Sequence, residues 1–194
     1  MSRLYWILAF VALCAVLIAA ARLLGAKTEL EVQREQIEVA WTKVAHDLDR
    51  RAEVLPRLLA LVNDEGQRPD LRRPSATLGR SLEIAREAPD RVKRIEANRK
   101  VEIALHDFQA AVLADPQLAR NPDIQRLLEE ILAVENRIHQ DRTEYNEAVQ
   151  RFNTRLALFP SNVAATAFGI RRHDFYVTTD LVPSSDTRIG KARN

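Results

Sequence analysis

Between Asn121 and Phe159 the residues Ile124, Leu127, Ile131, Val134, Ile138, Tyr145, Val149, Phe152, Leu156 and Phe159 follow one another mostly by steps of three and four. That spacing lines apolar side chains along one face of a helix. Asn121 can cap the segment, Pro122 suits its first turn, Asp123 complements the helix dipole and Pro160 ends it. At 1.5 Å per residue such a helix is roughly 55 Å long, and only other long helices lying beside it can cover a face of that length. The chain is therefore constrained to be a bundle.

A second seam of the same kind is formed by Ile37, Trp41, Val44, Leu48, Ala52, Leu55, Leu58 or Leu59, and Val62, and defines a helix from about Lys27 to Asp64. Pro56 lies inside it and removes one backbone donor; because Leu58 to Val62 stay in phase, a bend is expected there rather than an end. Upstream, no charged residue occurs from Leu4 to Ala21, and Leu23 to Ala26 prolong the apolar run past Arg22. That is enough to span a bilayer. Tyr5 and Trp6 suit one interface, and Arg22 and Lys27 can snorkel at the other. Ala19-Ala20-Ala21 would also suit a signal peptidase, but the run is long for a signal peptide and passes into a helical pattern without a turn-forming break. The spanning helix is expected to continue directly into the second seam.

Gly66, Pro69 and Pro74 mark Asn63 to Ser75 as the loop at the far tip. A short helix capped by Ser75 follows through Leu78, Leu82 and Ala85 to Glu87. A third long helix starts at Arg91, with Val92, Ile95, Val101, Leu105, Phe108 and Val112 inward and Asn98 as a polar layer, and ends before Pro116. Asp115 to Pro122 is read as a turn. Alternating direction through these helices makes the first and last long helices antiparallel and of matched length. On that register Arg51 faces Glu135, Trp41 faces Tyr145, and Phe159 lies near the membrane end. Ser161 or Asn162 can cap a short helix over Val163 to Ile170, whose small residues allow close approach to the emerging anchor. Phe168, Ile170, Phe175 and Tyr176 with Arg171, Arg172 and His173 read either as contact with lipid headgroups or as aromatics closing the bottom of the core.

The segments Glu135-Asn136-Arg137-Ile138, Tyr145-Asn146-Glu147-Ala148-Val149, Phe152-Asn153 and Phe159-Pro160-Ser161-Asn162 resemble the LemA family of bacterial membrane-anchored helical proteins. The resemblance extends to Ala40-Trp41, Asp47-Leu48, Arg50-Arg51, Leu55-Pro56, Phe168-Gly169 and Phe175, and covers roughly Glu29 to Val177. Arg57 departs from it, because an Asn usually follows this proline. The resemblance implies association with envelope processes, including membrane organisation and the company of membrane proteases, without a settled mechanism.

Composition narrows the function classes. Twenty-nine basic and twenty-seven acidic residues are interspersed and leave a net charge of +2, which is no nucleic-acid footprint. The lone Cys14 excludes an intrachain disulfide, and Leu13 before it does not suit lipoprotein attachment. His46-Asp47, His106-Asp107 and His173-Asp174 are the residue types of metal phosphohydrolases, but two of them fall on flanking or outward helical positions and lack ligand spacing. No HExxH, phosphate loop, GxSxG or CxxC is present.

The expected fold is all-α: an N-terminal transmembrane anchor at residues 1–26 continuing into an antiparallel bundle of long helices at 27–177, then a polar, disordered tail at 178–194. The expected function is a non-enzymatic scaffold or adaptor acting by protein or membrane contacts, with no catalytic residue, metal or cofactor. The alternative is a ligand-sensing or accessory subunit of a membrane enzyme or protease system. Trp41, Arg51, Glu135, Asn136, Tyr145, Asn146, Phe159, Pro160, Phe168, Arg171 and Arg172 are the structural and interaction candidates. The expected partners are the lipid bilayer and a membrane or envelope protein, with homo-oligomers through Trp41 or the small-residue stretch left open. The expected place is the bacterial inner membrane, single-pass, with Arg22, Lys27 and Arg34 against Arg3 tilting the bundle towards the cytoplasm.

Overall fold

A computed structural model describes residues 2–65 and 68–177. Among them are six helices and no strand: α1 (Ser2–Asp64), α2 (Pro69–Arg86), α3 (Arg91–Ala114), α4 (Pro116–Ala119), α5 (Pro122–Ala157) and α6 (Ser161–Phe168). Two compact units divide them, one of residues 1–45 and 139–175, the other of residues 46–138 and 176–194. α1 and α5 each contribute to both. The polar tail expected at 178–194 and Gly66 and Gln67 of the far-tip loop lie outside the described residues.

α1 is a single helix of 63 residues, so the apolar N-terminal run passes into the seam without a break. In the first unit the seam buries Ala26, Leu30, Ile37, Ala40 and Val44 of α1 against Tyr145, Ala148, Val149 and Phe152 of α5 and Ala164 and Ala165 of α6. Glu29 pairs with Arg155, and Lys43 Nζ lies 2.9 Å from Glu144 Oε1. Ascending numbers on α1 thus meet descending numbers on α5. Hydrogen bonding to the Glu144 carboxylate, with its charge and that of Asp141, raises the Lys43 ammonium above the ordinary lysine value despite some desolvation. The pair's contribution is full below the ordinary lysine value and is lost as pH rises through the shifted one.

The second unit is a four-helix arrangement around Leu55, Leu58 and Val62 of α1, Leu71, Leu78 and Leu82 of α2, Val101, Leu105, Phe108 and Val112 of α3, and Ile124, Leu127 and Ile131 of α5, with Leu118 of α4 at one end. Its helix starts follow local chemistry. Asp90 accepts from Lys93 N at 2.8 Å, Asp115 from Gln117 N at 2.9 Å, and Asn121 from Asp123 N at 2.9 Å. Pro69, Pro116 and Pro122 each occupy a first helical position, where the missing N–H is no loss.

Several expectations are corrected here. The loop assigned to Asn63 to Ser75 is much shorter, because α2 starts at Pro69 and runs through Pro74. Leu71 is buried seven residues before Leu78 on the same stripe, and this packing outweighs the one hydrogen bond that Pro74 forgoes. Ser75 is therefore inside the helix rather than its cap. Asp115 to Pro122 contains α4 rather than a bare turn. Val92 is exposed on the first turn of α3, and Phe159, beyond the last residue of α5, is 81% exposed rather than buried on its seam. The short last helix starts at Ser161 and ends at Phe168, with Pro160 before it and neither Ser161 nor Asn162 as its cap; Gly169 closes it in the left-handed region at φ 67°.

Pro56 has a specific compensation. A proline there leaves the carbonyl four residues earlier, that of Ala52, without its helical donor. Arg86, at the end of α2, donates to that carbonyl oxygen from Nη2 at 2.5 Å. The helix continues through Pro56 with Leu55 and Leu58 both fully buried. Arg86→Ala is expected to lower stability by about 1 kcal/mol in the native chain and by close to nothing in a Pro56→Ala background, where the restored N–H takes the carbonyl. Chemical unfolding in detergent micelles measures both; equal losses in the two backgrounds would refute the link.

Candidate functional site

A buried cation is the most distinctive group of the second unit. Arg51 stands beside the apolar seam of α1 and is only 2% exposed. A guanidinium so placed must be neutralised and hydrogen-bonded in several directions. Its Nη1 donates to Glu135 Oε1 at 3.0 Å and Oε2 at 3.3 Å from α5, and its Nη2 donates to Asn98 Oδ1 at 2.6 Å from α3. Asn98 in turn donates from Nδ2 to the Arg94 carbonyl at 2.8 Å. The planar fork of arginine allows one residue to tie three helices together; an ammonium could not present the same geometry.

Around this layer lies a cavity of about 130 Å³ between α1, α2 and α3, lined by Leu48, Ala52, Leu82 and Ala85 on its apolar side and by Arg51, Arg86, Arg94, Asn98 and Asp49 on its polar side. Asp49 pairs with Arg94 at its rim. On the adjoining face Glu130 receives Arg50 at 3.3 Å and Arg57 at 3.7 Å. Arg57, the residue that departs from the family pattern, therefore serves as a surface ion-pair partner.

In the first unit Trp41 and Tyr145 meet edge to face, with ring centroids 5.7 Å apart. The Tyr145 hydroxyl donates to the Asp174 carbonyl at 2.9 Å. Asn153 donates to the His173 carbonyl at 2.9 Å and accepts from the His173 N–H at 3.0 Å, while the His173 ring stands on Phe152 at 5.2 Å. The chain after Gly169 is thereby strapped back along α5. At the other end of this unit Lys27 Nζ sits 5.1 Å above the Phe168 ring.

The register expected for Arg51 with Glu135 and for Trp41 with Tyr145 is thus observed. Asn146 and Pro160 are half-buried, and Asn136, Phe159, Phe168, Arg171 and Arg172 are exposed. Four buried polar groups were not singled out as site candidates: Asp47, Asn98, Arg142 and Ser161. Arg142 fills the apolar gap between Ile138 and Tyr145 and reaches His139 Nδ1 at 3.0 Å; that gap was its only signal. His46 and His106 project outward beside their aspartates, at 3.5 Å and 3.8 Å. Among the described residues no group of three or more His, Cys, Asp or Glu stands together as metal ligands would.

Arg51→Ala is expected to cost about 3–5 kcal/mol, because Glu135 and Asn98 lose their shared donor. Replacing Arg51, Asn98 and Glu135 together by apolar residues of similar size is expected to recover most of that loss. Urea unfolding followed by circular dichroism checks both, and additive losses across the three positions would contradict a single coupled layer.

The model of the LemA family matches residues 40–187, most of the chain. No curated protein matches it.

Proposed function

Because the chain belongs to the LemA family, we propose that it is a single-pass protein of the bacterial inner membrane whose helical bundle acts through contacts with partner proteins or lipid rather than by catalysis. The observation that carries this reading is α1. Its residues from Tyr5 to Leu24 form a helix long and apolar enough to cross a bilayer, and none of them is buried within the chain. The same helix then enters a packed core without a break, as an anchor that holds a bundle at a membrane surface would. The basic residues Arg22, Lys27 and Arg34 favour the bundle on the cytoplasmic side.

The expected outcome is retention of the full chain in the membrane pellet after alkaline carbonate washing and its release when residues 2–26 are deleted. A reporter fused after Asn194 reads the side. Release of the intact chain by carbonate would sink the anchor reading.

One observation favours the second reading, a ligand-sensing or accessory subunit. The cavity beside Arg51 combines Arg51, Arg86 and Arg94 with an apolar wall, Asp49 resting on Arg94 at its rim, a lining in which a small anion with a short apolar body would compete with Asp49 for Arg94. Acetate, butyrate and inorganic phosphate serve as probes. On this reading one of them raises the unfolding temperature of the full chain in detergent, and Arg94→Ala abolishes the rise. No shift with any probe would remove the support.

A further inference from the structure

We infer that the first unit carries a lipid-docking collar formed by Leu158, Phe159, Phe168, Arg171 and Arg172, which seats on an anionic membrane surface around the base of the anchor. The inference rests on the single-pass reading of α1 and names the lipid surface that this unit would meet.

Three observations place these residues at one level. Arg155 pairs with Glu29, and because α5 runs antiparallel to α1, its end at Ala157 delivers Leu158 and Phe159 on the side of that pair that faces the uncharged stretch of α1. Lys27 over the Phe168 ring puts the end of α6 at the same height. Arg171 and Arg172 follow within three and four residues of Phe168, before His173 is tied down to Asn153. Phe175 is excluded by the same reasoning. It adjoins Asp174, whose carbonyl is held by Tyr145 opposite Trp41, about fourteen residues or roughly 20 Å along α1 from Lys27.

The collar is unsatisfied as it stands. Phe159 is 81% exposed, Leu158 and Phe168 about half exposed, and Arg171 and Arg172 are exposed. Its chemistry selects lipid over protein. The whole of 4–28 and 154–172 contains Arg22, Lys27, Arg155, Arg171 and Arg172 and not one acidic residue, in a chain that otherwise balances twenty-nine bases with twenty-seven acids. The acids flanking these stretches are Glu29, engaged by Arg155, Glu31, paired with Lys27, and Asp174, two residues beyond Arg172 on the segment tied back to Tyr145. Aromatic rings among unopposed arginines, contiguous with a bare apolar helix, match the boundary between acyl chains and anionic headgroups. A basic collar would also act with Arg22 and Lys27 in retaining the bundle on the side of the membrane that bears anionic lipid.

The test uses the full chain with Cys14→Ser, one copy per lipid nanodisc, with and without phosphatidylglycerol. A nitroxide is attached at Phe159→Cys or, separately, at Val11→Cys, and collisions with oxygen and with a water-soluble nickel chelate are measured. In anionic discs the label at 159 is expected to meet oxygen and not nickel. Arg171→Glu with Arg172→Glu is expected to raise its nickel accessibility roughly tenfold, with helicity unchanged. Nickel-accessible label at 159 in both lipids, shielding from both probes as a protein occupant would give, or no response to the double charge reversal each overturns the collar. Nickel access at Val11 would instead show that the anchor reading has failed.

Discussion

An arginine removed from water must be given a counter-charge and several acceptors, and the second unit is arranged around that requirement. Arg51 leaves α1 next to an apolar seam and finds Glu135 on α5 and Asn98 on α3. Hydrophobic faces alone would let the helices slide by a turn with little penalty, since leucines and valines are interchangeable over such a distance. A bidentate group with fixed directions would not. The layer therefore contributes more to uniqueness of packing than to net stability, in keeping with the balance between desolvation and attraction for buried charge. Arg86 on the Ala52 carbonyl adds a second fixed polar tie between α1 and α2 at almost the same height.

The architecture was legible because its signals are long. Seams of eight to ten apolar positions specify helices, and two helices of matched length separated by three reversals specify an antiparallel register, which is why Arg51 with Glu135 and Trp41 with Tyr145 could be paired from numbering alone. Signals that depend on one or two residues were less secure. Pro69 and Pro74 read as loop punctuation, yet Pro69 sits where a helix tolerates proline and Leu71 supplies burial that extends the helix. Phe159 continued the rhythm of α5 on paper, but the helix ends at Ala157 and its phase ends there too. The Asn98 contact and the role of Arg86 were not legible, because each needs side chains from separate helices to converge. A proline announces a free carbonyl without naming what will occupy it.

The function proposed for the chain is one of placement. The polar cluster with the most buried charge is an internal brace, and the ion pairs on Glu130 and Glu144 lie on solvated faces where they contribute little to stability. The longest continuous run of exposed apolar residues, by contrast, is the N-terminal segment of α1, and Phe159 is the most exposed large apolar side chain of the described residues. Family membership, the apolar helix and this distribution together support a protein whose work is done at a membrane and by contact.

The unbroken passage of α1 from its apolar segment into the first unit has a mechanical meaning. A flexible linker would let whatever it carries swing and spin freely, whereas a helix transmits both tilt and twist. The direction in which Trp41 and the strapped chain beside Tyr145 face is thus geared to the rotation of the anchor about its own axis. Each residue added or removed between Leu24 and Leu30 would turn that face by about 100°, so for the membrane anchor proposed above the length of this junction would act as the setting of a compass bearing in the plane of the bilayer.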